Sequence, residues 1–167
     1  MQNEVILALS YMALAGVAWA NKYSYMLVLN IIACALCGLY LYMSSAYTGA
    51  VVSSIAAAAN LVQLLLPVKK TDRRLMTRNI LAMLIASIVS IFLYAKPSDI
   101  VPCIAFSINR FSEAQENPQI IRYGLIISAL LWSYYGAQHE LWLFVMAEIA
   151  VLLFILMTVK KYRVKLK

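Results

Sequence analysis

Residues 99–113 read Asp-Ile-Val-Pro-Cys-Ile-Ala-Phe-Ser-Ile-Asn-Arg-Phe-Ser-Glu. The stretch is apolar but short, and it carries Pro102 and the polar pair Asn109-Arg110. It is either a fifth membrane span or a surface helix, and the architecture turns on which. Around it lie six longer apolar runs, at roughly 4–20, 25–43, 46–66, 79–95, 120–137 and 141–159. Each approaches the roughly 20 residues that cross a bilayer. Asn21-Lys22, Ser44-Ser45, Pro67, Lys96-Pro97, Gln138-His139-Glu140 and a basic tail end them in turn.

Composition sets the solvent. Of 167 residues, 64% are hydrophobic and 13% charged, with mean hydropathy +0.81. A soluble domain is nearer half apolar and a quarter charged, and a disordered chain is more polar still. The reading is therefore an all-α, polytopic membrane protein with no room for a soluble domain.

Charge position decides the doubtful stretch. There are 14 Lys and Arg against 7 Asp and Glu, a net charge of +7. The basic residues are not spread as a nucleic-acid surface would need. They cluster at Lys69, Lys70, Arg73, Arg74 and Arg78, and at Lys160, Lys161, Arg163, Lys165 and Lys167, each against an apolar run. Such clusters fix orientation and touch anionic lipid headgroups on the cytoplasmic face. If 99–113 spans and the N-terminus is outside, the inner loops also gain Lys22, Arg110 and Arg122, and the outer loops keep only Lys96. If it does not span, six helices leave one cluster outside. The positive-inside rule selects seven spans, N-terminus out and C-terminus in. The tyrosines fit two interfacial belts: Tyr40, Tyr42, Tyr47, Tyr94, Tyr134 and Tyr135 outside, and Tyr23, Tyr25, Tyr123 and Tyr162 inside.

Seven spans divide as 3+1+3, two parallel triple-helix repeats joined by an inverting helix. The expected parts are repeat one at 1–67, a linker helix at 68–97, repeat two at 98–160 and a basic cytoplasmic tail at 160–167. An offset of 95 residues lays Ile31 on Ile126, Ile32 on Ile127, Leu36 on Leu131, Tyr40 on Tyr135 and Glu4 on Asp99. Parallel repeats about an axis along the membrane normal are a transporter plan.

This organisation resembles the SWEET, SemiSWEET and PQ-loop group and the nicotinamide riboside transporters. It is most similar to the YgjV-type bacterial inner membrane proteins. The likeness rests on Pro97-Ser98-Asp99-Ile100-Val101-Pro102, on the spacing Arg122, Ser128, Trp132, and on Glu148, so on roughly 95–160. It implies a bacterial inner-membrane location, and transport by analogy. Asn109-Arg110 departs from the smaller residues such a helix would carry.

Candidate site residues are the polar groups inside the spans. Glu148 lies about eight residues into the seventh run, roughly 12 Å below the outer surface. An intramembrane carboxyl faces a bundle interior or a watery cavity, either as a proton carrier or as a tie between helices. Arg110 either pairs with Glu148 or snorkels to the inner headgroups beside Glu113. Asn109 bonds a solute or a neighbouring helix. Asn60 and Gln63, three apart on one face, and Tyr11 either line a path or bridge helices. Trp132 stacks on a ring-bearing solute or packs as core. Pro102 is either a hinge or part of a helix's first turn. Ser53, Ser54 and Ala56–Ala59 allow close helix approach.

Other features carry less. Cys34 and Cys37 form a CxxC inside an apolar run, with no His or second CxxC near, so they read as packing residues. The run Val5–Val17 before Ala18-Trp19-Ala20 has the outline of a leader, but Met-Gln-Asn-Glu lacks the positive charge one needs, and it reads as a helix. His139 is the lone histidine, too little for a zinc site. No hydrolase, nucleotide-binding or HExxH motif occurs. No enzyme, metal or cofactor is expected. The expected partners are membrane lipids, a small solute and a second copy of the chain. The function expected is small-solute transport, facilitative or proton-coupled; the rival is a non-transporting assembly, lipid- or partner-binding factor.

Overall fold

The computed structural model describes residues 2–66, 73–115 and 117–164. Seven α-helices and one 3-10 turn account for the described elements, and no strand occurs among them. They are α1 (Gln2–Trp19), α2 (Tyr23–Met43), α3 (Tyr47–Leu65), α4 (Arg73–Phe92), α5 (Val101–Ala114), α6 (Pro118–Gln138) and α7 (Trp142–Val164). The 3-10 turn Pro97–Ile100 leads into α5. The chain is all-α, as expected. Among the described residues, four helices hold segments long and apolar enough to cross a membrane: Tyr23–Met43, Tyr47–Leu65, Leu75–Phe92 and Trp142–Lys161. These are compatible with a multi-pass membrane protein. The apolar stretch Asn3–Trp19 is shorter, and α5 has 14 residues. Helix α6 has 21, but Gln119, Arg122, Ser128, Ser133 and its tyrosines dilute its hydropathy.

Two boundaries move. Helix α4 begins at Arg73, so Arg73, Arg74 and Arg78 lie on the helix rather than in a loop. Arg, Leu and Met are good helix formers, and nothing in 73–78 stops the helix. Helix α7 runs to Val164, past the expected tail start at 160. Basic residues favour the carbonyl end of a helix, so the tail continues it. Pro67, Lys69, Lys70, Lys165 and Lys167 lie outside the described residues.

The element bounds recur at an offset of 95. Gln2–Trp19 corresponds to Pro97–Ala114, the 3-10 turn plus α5. Tyr23–Met43 corresponds to Pro118–Gln138, and the start of α3 at Tyr47 to the start of α7 at Trp142. The hairpin turns match bond for bond. In the first, the Ala46 N–H donates to Leu41 O (2.9 Å) and the Ser45 N–H to Tyr42 O (3.1 Å). In the second, Leu141 donates to Gly136 O (2.9 Å) and Glu140 to Ala137 O (3.2 Å). Both are Schellman ends, which need a left-handed residue. Ser45 and Glu140 supply it, each at φ 59°, without being glycine.

Neighbouring helices close a ring in the order α1, α2, α3, α5, α6, α7 and back to α1. Helix α4 stays outside the ring, against α3 and α5. Polarity is inverted relative to a soluble protein. Ser10, Asn30, Asn60, Arg110, Glu113, Ser128 and Glu148 are buried, while Met12, Ile91, Phe92 and Met146 are exposed. An apolar shell around a polar interior suits a hydrocarbon solvent. Close approach within the ring uses small residues. At Gly124 an added Cβ would sit 2.1 Å from Ser112 Oγ, so α6 lies directly on α5 there.

Candidate functional site

The ring encloses a cavity of about 70 Å³, room for several waters. All six ring helices line it and α4 does not. The lining repeats at the same offset of 95. Tyr11 pairs with Phe106, Leu14 with Asn109, Asn30 with Leu125, and Ala33 with Ser128. Cys34 pairs with Ala129, Cys37 with Trp132, Ser53 with Glu148, and Ala56 with Val151. In four of these eight pairs a polar residue in one half corresponds to an apolar one in the other. The two halves therefore share a shape and divide the chemistry between them.

Two polar poles face the cavity. At the first, Glu148 on α7 accepts a 2.7 Å hydrogen bond at Oε1 from the Tyr11 hydroxyl on α1. Its other oxygen has no hydrogen bond among the described residues. Tyr11 also meets Phe144 edge to face, with centroids 6.0 Å apart. Ser10 anchors α1 to α2 through Ala33 O at 2.8 Å.

At the second pole Arg110 is 1% exposed. Its Nη2 donates to Glu113 Oε2 and to Asn60 Oδ1. Asn30 on α2 donates to Glu113 Oε1 at 2.7 Å. Beside it, Asn109 donates to Ser128 Oγ on α6 at 3.0 Å. The Arg110 guanidinium also lies 5.5 Å from the centre of the Phe106 ring. Its Nε and Nη1 have no hydrogen-bond acceptor among the described residues, nor has Asn60 Nδ2. A buried donor without an acceptor is costly, and Arg110 stands in the cavity wall with two such donors.

The sequence candidates separate accordingly. Glu148, Tyr11, Asn109, Arg110 and Trp132 all line the cavity. Asn60 lies behind Arg110 and holds it. Gln63 is not brought to the cavity: it bonds the Tyr23 hydroxyl and faces a separate groove between α3 and α4. One turn of helix carries it past the cavity wall. Neither expected arrangement of Arg110 occurs. It does not pair with Glu148, because Glu113, three residues on, neutralises it within α5. It does not snorkel, because Asn60 and Glu113 hold the guanidinium inside. Pro102 occupies the first turn of α5 and is buried, a position that needs no backbone N–H.

Both ends of the ring are tied across its halves. At the end holding Lys96, the Gly49 N–H of α3 donates to the Tyr135 hydroxyl of α6 at 3.1 Å. At the offset-equivalent place, Tyr40 stacks on Phe144 at 6.1 Å. Tyr40 and Tyr135 are 6% and 0% exposed, so these two leave the expected interfacial belt to bridge the halves. Trp132 lies beneath, edge-on to Tyr135 and Phe144 at 5.7 and 6.1 Å. His139 Nε2 meets Asp99 Oδ1 at 3.1 Å, and Asp99 Oδ2 accepts the Ala95 and Lys96 N–H groups. At the Lys22 end, Arg122 donates to Ala18 O (3.0 Å), Ala20 O (3.2 Å) and Asn21 Oδ1 (3.2 Å). Ala18 O is one of the orphan carbonyls at the end of α1.

Sequence reasoning missed Asn30 and Glu113 as site residues. Asn30, alone among apolar neighbours within α2, carried a usable signal. Glu113 carried little, because it sits at the end of a short helix beside polar residues. No protein-family model, no curated protein and no solved structure matches the chain.

Proposed function

We propose that the chain is a small-solute transporter that crosses a bacterial inner membrane seven times. Its N-terminus lies outside and its C-terminus inside, and two parallel triple-helix repeats flank the inverting helix α4. The charge asymmetry between the Lys22 and Lys96 ends supports this orientation. The offset of 95 in helix bounds, hairpin turns and cavity lining supports the repeat, and the resemblance to the YgjV-type and SWEET-like proteins agrees with it.

One observation carries the functional reading: a cavity walled by all six ring helices holds two polar poles inside the ring. A packed structural or partner-binding protein has no use for a guanidinium left half unpaired in its interior. Each pole joins residues of both halves and each end is tied by bonds between halves, so rocking of one half on the other exchanges the open end. No nucleotide-binding motif is present, so movement is facilitative or coupled to a proton on Glu148, shared with Tyr11.

The test uses the cavity thiols. Cys34 and Cys37 line the cavity, whereas Cys103 contacts Ser87 on α4 at 3.3 Å, outside it. In a Cys103→Ser background, a small charged methanethiosulfonate reagent is expected to modify Cys34 or Cys37 in membrane-embedded protein. Thiols that react only after denaturation would favour the dry, non-transporting core.

A further inference from the structure

The two poles differ in kind, and together they specify a ligand. At one, Arg110 offers N–H donors at Nε and Nη1 that no group among the described residues accepts. At the other, Glu148 offers an acceptor oxygen beyond the one taken by Tyr11. Along α2 the poles are separated by the step from Asn30, bonded to Glu113, to Cys37 beside Glu148. Seven residues make that about 10 Å at 1.5 Å per residue. Between them the wall is mostly apolar.

Charge balance narrows the choice. Glu113 already neutralises Arg110, so a lone anion would add uncompensated charge to a low-dielectric site, and a lone cation on Glu148 would leave Arg110 Nε and Nη1 without an acceptor. A molecule carrying both charges adds none. From this, and resting on the transport reading above, we propose that the cavity binds a small zwitterion. Its carboxylate bonds Arg110 Nε and Nη1, and its ammonium group bonds Glu148. A donor pole set against an acceptor pole also selects against molecules bearing one charge, because each would leave the other pole buried and unmatched.

The experiment is a thermal-melting series on purified protein in detergent. The zwitterions are glycine, β-alanine and γ-aminobutyrate, which step the separation of the two charges. The controls are acetate, propionate and butyrate, and methylamine, ethylamine and propylamine, all at millimolar concentration. Binding to the folded state raises the melting temperature. At least one zwitterion is expected to raise it while the matched acid and amine do not. Glu148→Gln, which still accepts the Tyr11 bond, should weaken that ligand about tenfold or more, as should Arg110→Gln. Because Arg110→Gln also removes a tie between helices, Glu148→Gln is the deciding variant.

Stabilisation by the acids or amines equal to that by the zwitterions would overturn the proposal, as would a zwitterion effect indifferent to Glu148→Gln. No stabilisation by any probe, with Cys34 or Cys37 accessible, overturns the zwitterion assignment and leaves the cavity standing. Inaccessible thiols overturn both.

Discussion

The buried ion pair of α5 gives the most demanding prediction. Arg110 is 1% exposed and Glu113 5%, and they hold each other with help from Asn60 and Asn30. Replacing one partner strands the other charge in the interior, which costs about 3–5 kcal/mol. Glu113→Gln leaves Arg110 with Asn60 as its one side-chain partner. Arg110→Gln leaves Glu113 with Asn30. The double variant buries no charge, and its two amides can still bond Asn30 and Asn60. It therefore loses about 1–1.5 kcal/mol for each weakened hydrogen bond. The double loss should be well below the sum of the singles, with coupling of about 2–3 kcal/mol. Arg110→Gln and Glu148→Gln share no partner, and their losses should add within about 0.5 kcal/mol. The assay is equilibrium unfolding of the purified variants in mixed micelles. Coupling between Arg110 and Glu148, with additivity between Arg110 and Glu113, would refute this account of the site.

Three further outcomes are expected. Gly124→Ala pushes a Cβ to 2.6 Å from Ser112 Cβ, overpacking that should cost about 1–3 kcal/mol; melting of Gly124→Ala with and without Ser112→Gly checks it, since the second change should recover most of the loss. Ser45→Gly and Glu140→Gly relieve a left-handed residue at two equivalent turns, and each should stabilise by about 0.5–1 kcal/mol. A drop in melting temperature at both sites would contradict the turn assignment. Reporter fusions after Gln115 should read cytoplasmic and those after Ser98 external, and a common side for the two would remove α5 from the spans.

The fold was legible where the chain punctuates itself. Apolar run lengths, the prolines and the serine and histidine breaks located all seven helices, because a helix end needs a residue that tolerates lost backbone bonds. The ends misplaced were those of α4 and α7, where basic residues extend a helix as readily as they end it. The offset of 95 was faint in side chains, since lipid-facing positions accept any apolar residue. It is plain in the helix bounds, which turns and caps fix.

The site was legible one residue at a time, as polar groups inside apolar runs. Its pairing was not. Whether Arg110 meets Glu113 or Glu148 depends on how helices rotate about their axes, and an apolar shell offers no pattern of exposed charge to set that rotation. Tyr40 and Tyr135 were misread for the same reason: position along a helix gave their depth, and only packing reveals that they turn inward to Phe144 and Gly49.

The most direct test of the central claim is sidedness of access to the cavity. Protein bearing Cys34 and Cys37, with Cys103→Ser, would be inserted in one orientation into sealed vesicles. The charged thiol reagent would then be added outside, or trapped inside. Rocking of the two halves predicts modification from both sides, and protection from both by a ligand that binds between Arg110 and Glu148. Modification from one side only, unchanged under every ligand condition, would make the cavity a closed vestibule and contradict transport.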